Sequence, residues 1–123
     1  MNAQASVQAY KESSVLTAPP ERLVVMLYDG ALRFLARAAV AMREDGPVAA
    51  AKPIQRTQAI LEELLSTLDH EQGGEVAERL QAIYVFCLRA LAEAQVERDA
   101  GKIDQVAGLL RELRDAWAQI CSS

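Results

Sequence analysis

One histidine, two cysteines and 17 carboxylates are the groups in this 123-residue chain that could do chemistry. Carboxylates and histidines lining a helical bundle can hold a pair of metal ions, but that site needs a Glu-x-x-His motif on each of two helices. His70 stands alone between Asp69 and Glu71, with Thr67 rather than a glutamate three positions before it. A cysteine nucleophile needs a base to draw off its proton; Cys87 lies in an apolar run, and Cys121 lies near the end, each without a histidine nearby. Gly73-Gly74 lacks the lysine and the preceding strand of a phosphate-binding loop. The adjacent carboxylates Glu62-Glu63 and the pair Glu71 and Glu75 would need a concave setting to share acid and base roles. The residue types therefore point to no enzyme, no metal and no cofactor. The two cysteines read as a small buried hydrophobe and a terminal thiol, not a disulfide framework.

The elements that would position any site are helices. Hydrophobic residues make up 51% of the chain but aromatics only 5%, so the core is aliphatic and alanine-rich. Alanine and leucine favour helix, and valine, isoleucine and threonine do not gather into strand-like runs. Polar, aperiodic residues fill a leader over 1–19. Pro19-Pro20-Glu21 then sets a helix start, with proline suited to the first helical position and glutamate to the positive end of the helix dipole. A first helix is expected from about Pro20 to Arg43, with apolar rows Leu23, Leu27, Ala31, Phe34, Ala38 and Val24, Tyr28, Ala31, Leu35. Gly46-Pro47 ends it. A second helix follows from about Val48 to Leu68, and Pro53 either begins it or kinks it. Asp69 to Gly74 reads as a loop. A third helix runs from about Gly74 to Ala100, ended by Gly101, and a fourth from about Lys102 to Cys121. The fourth carries the clearest seam: Ile103, Val106, Leu110, Leu113, Trp117 and Ile120 alternate steps of three and four. The expected fold is all-α, an antiparallel up-down four-helix bundle over 20–121 with a short, partly mobile N-terminal leader.

The formal net charge is −4, which speaks against nucleic-acid binding. The charge is uneven. Residues 1–43 carry five bases (Lys11, Arg22, Arg33, Arg37, Arg43) against three acids, and the rest carries eight bases against fourteen acids. Bases on the first helix can attract an acidic partner or form an ordinary solvated face. No apolar run approaches the ~20 residues that cross a bilayer, and the first residues lack the cationic start of a signal peptide. The expectation is a cytoplasmic protein with no membrane insertion. Apolar residues on the first and third helices exceed what one seam uses. They are either core or a groove that takes an amphipathic helix from a partner.

Several motifs occur in a telling order: Tyr10 in the leader, Thr17 to Glu21, Leu27-Tyr28-Asp29-Gly30-Ala31, Gln58 to Leu64, Leu68-Asp69 followed by Gly73-Gly74-Glu75, Asp99, and Leu113-Arg114-Asp115-Ala116-Trp117. The series resembles the flagellar secretion chaperone FliS family over nearly the whole chain. The resemblance implies a cytosolic four-helix bundle that binds the disordered C-terminal segment of flagellin in a hydrophobic groove. It further implies that the bundle blocks premature polymerisation and delivers flagellin to the flagellar type III export apparatus. In that family the leader can cover the groove, a role that would fall here to Val7, Tyr10 and Leu16. Candidate partner-binding residues are Tyr10, Leu16, Leu27, Tyr28, Ile60, Leu64, Tyr84 and Leu91. Flagellin is the expected partner, with export apparatus components or an anti-sigma-type regulator beside it, and a homodimer when the protein is free. The alternative is a helical adaptor that sequesters a regulator of flagellar gene expression or flagellin synthesis. Two features depart from the family pattern: Pro19 offers no capping side chain before Pro20, and Gln95 stands where an asparagine is usual.

Overall fold

The computed structural model describes residues 3, 4 and 21–122; the expected helix start at Pro20 and the leader residues Val7, Tyr10 and Leu16 lie outside them. Four helices follow one another: α1 (Glu21–Glu44), α2 (Pro47–Ser66), α3 (His70–Glu97) and α4 (Ala100–Ser122). Short connections between long helices force each to run back along its predecessor. The neighbours form a closed ring, α1 on α2, α2 on α3, α3 on α4 and α4 on α1. This is the antiparallel up-down bundle expected from the periodicity.

The ring does not close equally tightly at every seam. The buried face of α1 includes Ala31, Ala38 and Ala39, and α1 packs far more closely on α2 and α4 than α3 packs on the same two helices. The third helix meets the interior with Leu80, Tyr84 and Leu91. The α4 seam is as the spacing predicts, with Ile103, Val106, Leu110, Leu113, Trp117 and Ile120 all buried. On α1 the row through Val24, Tyr28, Ala31 and Leu35 is buried, whereas Leu23 on the other row is 47% exposed.

The connections correct three sequence expectations. Gly46, at φ +94°, is where α1 ends and α2 begins; its N–H donates to Ala41 O at 2.9 Å and Pro47 is the first residue of α2. Only glycine enters that backbone region freely. The second helix thus starts at Pro47 and passes through Pro53. The missing N–H costs one bond to Ala49 O near an exposed helix start, and Thr57 Oγ1 donates to Pro53 O at 3.0 Å.

The expected loop 69–74 is instead the first turn of α3. Asp69 caps it by accepting from the Gln72 N–H at 3.0 Å, which satisfies a donor the helix cannot. A break follows at Gly74, φ +50° and ψ −127°, and the long run to Glu97 begins there. At its far end α3 stops three residues before the expected Ala100, through Arg98 in the left-handed conformation. Asp99 then starts α4, its carboxylate accepting the Gly101 N–H at 2.9 Å. Gly101 opens a helix rather than ending one. Gln95 in turn donates to Pro47 O at 2.6 Å, tying the end of α3 to the start of α2.

Candidate functional site

The segment Leu27 to Ala31 points one residue at each of the other three helices. Tyr28 is fully buried and its hydroxyl hydrogen-bonds the hydroxyl of Tyr84 on α3, straight across the ring. Asp29 accepts from Arg114 Nε on α4 at 2.8 Å. Gly30 faces α2, where an added Cβ would stand 3.6 Å from Ile60 Cδ1. Ala31 is buried in the core. The closing motif answers from α4: Leu113 and Trp117 are buried beside the interior and Arg114 holds Asp29. Two of the segments that carry the family resemblance are therefore partners of each other.

The centre of the bundle is polar in an otherwise aliphatic core. Burial raises the Tyr28 hydroxyl well above the ordinary tyrosine range; the Tyr84 and Trp117 side chains pull the other way but do not offset it. Burial also pushes the Cys87 thiol up to about 12. A thiol so far from ionisation is inert at neutral pH. Among the described residues no group of histidine, cysteine and carboxylate is placed to hold a metal ion.

Openness to other molecules lies elsewhere, at the loosest seam. A cleft of about 340 Å³ runs between α3 and α4, lined by Arg79, Ala82 and Ile83 on one side and Leu109, Glu112 and Leu113 on the other. Its walls are mostly apolar, with Arg79 and Glu112 adding one charge of each sign to the lining. Ala3, from the start of the same chain, packs into it, with Gln4 beside Glu112 and Gln119.

The candidates named from sequence divide by depth. Tyr28, Leu64, Tyr84 and Leu91 are in the core, at 0–2% exposure, so a partner reaches them only if the bundle opens. Leu27 and Ile60 are half-buried, with Ile60 against Gly30 and Leu27 one turn earlier on α1. Tyr10 and Leu16 lie outside the described residues. The structure joins Tyr28 to Tyr84 but does not gather the six onto one surface. Sequence reasoning did not single out the cleft residues Leu109, Arg79 and Ala82. One signal was present: Leu109 sits next to seam residue Leu110, and an apolar residue beside a complete seam has to be covered by something else.

Fold and site together define a four-helix bundle with an apolar cleft on its surface. Comparison with known proteins is consistent throughout. The family described as flagellar protein FliS matches residues 2–123. The flagellar secretion chaperone FliS of Campylobacter jejuni is 38% identical, over 91% of this chain and 88% of its own. Those of Salmonella typhimurium and Bacillus subtilis are 36% and 35% identical, over 95% and 94% of this chain and 87% and 85% of theirs. The chain belongs to the flagellar secretion chaperone FliS family.

Proposed function

We propose that this protein is a cytoplasmic export chaperone that takes the C-terminal segment of flagellin into the α3/α4 cleft, keeps it from polymerising and hands it to the flagellar type III export apparatus. It acts by binding alone, without catalysis or a cofactor. The observation that carries this reading is the cleft itself: an apolar trough at the loosest seam, into which the chain already lays Ala3. An amphipathic helix laid in a groove buries its apolar face at i, i+3, i+4 and i+7. Ile83 and Leu109, both half-buried, supply the matching wall. A client that is unfolded when free gives up part of its binding energy to ordering, which leaves a wide contact with moderate affinity. Moderate affinity suits a protein that has to let go.

Calorimetric titration with a flagellin C-terminal peptide, followed by circular dichroism, tests this. Saturable one-to-one binding with gained helicity is expected. Ile83 and Leu109 are half-buried, so a charge at either is tolerated by the fold, and Ile83→Glu or Leu109→Glu is expected to weaken binding by about tenfold, the equivalent of one lost apolar side chain. A folded, monodisperse protein that ignores the peptide would redirect the search to a regulator of flagellin synthesis.

A further inference from the structure

The excess of bases early in the chain takes a definite form on the α1/α2 face. Phe34, half-buried on α1, has the guanidinium of Arg37 over its ring at 5.7 Å and that of Arg56, from α2, at 5.9 Å. Arg33 lies one turn before Arg37 and folds back towards Gly30. Lys52 lies one turn before Arg56. All four bases are exposed. Among the described residues none of the four pairs with a carboxylate, which is equally true of Arg22, Arg89, Arg98 and Arg111; what sets the patch apart is that two guanidinium groups from different helices share one ring. Like charges one turn apart repel, so the cluster is unfavourable in the free protein, and stacking on one ring holds two of its members in place.

We infer that this patch is a docking surface for an acidic protein segment, one whose carboxylates recur at one-turn spacing so that Arg33, Arg37 and Arg56 are met together. Charge complementarity selects the occupant. Guanidinium groups match carboxylates two bonds at a time, and preformed stacking lowers the ordering cost of binding. A polyanion such as nucleic acid would also meet the patch, but a long one runs on past it, and apart from Lys52 and Arg56 residues 44–123 carry fourteen acids against six bases, which turn it away. The patch lies across the bundle from the α3/α4 cleft, so this inference holds or fails independently of what the cleft takes.

The test is a titration of the full chain at low salt, reading the arginine Nε–Hε resonances. The probe is an alanine-rich helical peptide with glutamates at each i, i+4 position. Shifts confined to Arg33, Arg37 and Arg56 are expected, vanishing when ionic strength rises to about 0.5 M, where the screening length falls below about 5 Å. The triple variant R33Q/R37Q/R56Q should bind about tenfold more weakly, at two- to threefold for each exposed ion pair. Phe34→Leu, which keeps every charge, should lose about threefold through the stacking contact. Arg111→Gln, an exposed base on α4, should bind as the parent does. Equal shifts from a glutamine version of the peptide, spread over all arginines, would overturn the inference. So would an oligonucleotide of matching length that binds as tightly, or a triple variant with unchanged affinity.

Discussion

Replacing Tyr28 by phenylalanine removes one oxygen atom from the middle of the bundle, and its effect follows from what surrounds that atom. Tyr28 and Tyr84 are at 0% and 2% exposure and their hydroxyls bond to each other. Deleting one takes that bond from the other hydroxyl in a space closed to water, at a cost of up to about 1–3 kcal/mol. Against a total stability of about 5–15 kcal/mol for a domain of this size, that is large. Deleting both removes the need along with the bond. Tyr28→Phe and Tyr84→Phe are therefore expected to cost about 1–2 kcal/mol each, and the double variant less than their sum by about 1 kcal/mol. Urea unfolding followed by circular dichroism gives the four stabilities. The fluorescence of Trp117, the chain's one tryptophan, reports the same transition from 5% exposure inside the cluster. Additivity within about 0.3–0.5 kcal/mol would mean the two hydroxyls are not energetically linked. Unchanged stability of Tyr28→Phe with weakened flagellin-peptide binding would place Tyr28 on a partner surface and refute the structural reading outright.

Three further outcomes follow from local geometry. Gly30→Ala adds a Cβ at ordinary contact distance, 3.6 Å from Ile60 Cδ1 and 3.9 Å from Arg33 Nη2, so it should stabilise by about 0.5–1 kcal/mol in the same urea assay, as alanine does in a helix interior. Gly74→Ala has open space for its Cβ but a backbone at φ +50° and ψ −127°. It should destabilise by about 1–3 kcal/mol, visible as a lower thermal midpoint. Cys87, pushed up to about 12 by burial, keeps its proton in the folded state where an unfolded thiol has lost it, near pH 8.5. The Cys87 contribution to stability is thus flat below about pH 8.5 and falls above it by about 1.4 kcal/mol per pH unit. In a Cys121→Ser background, Cys87→Ala should remove this slope between about pH 8.5 and 10, before Tyr28 begins to contribute.

Periodicity made the helices legible, since an apolar row at steps of three and four has no other use. Every seam residue of α4 is buried as its spacing requires. Pairing across the ring was not legible. Nothing local says that Asp29 meets Arg114, 85 positions away, or that Tyr28 meets Tyr84, 56 positions away. For that reason Tyr28 and Tyr84, both prominent in the sequence, suggested a partner surface although they are buried against each other. The breaks misled for a different reason. Gly101 suggested a stop, but the chain turns at Arg98, where a non-glycine residue takes the left-handed conformation, and Asp99 caps the next helix at once. The cleft depends on how far α3 stands from α4, a tertiary spacing that no local motif in either helix encodes.

Because α1 rests on α4 as closely as on α2, the ring is completed by the first and last of its helices. A chain made from its N-terminus at about 5–20 residues per second leaves the partner of Asp29 unmade for roughly 4–17 seconds after Asp29 itself. Throughout that interval the side of the α1 seam that faces α4 has nothing to bury against. A permuted chain that begins at α3 and ends at α2 would bring α4 and α1 out consecutively, and its nascent form should be far less prone to capture by general chaperones or to pairing with a second unfinished copy.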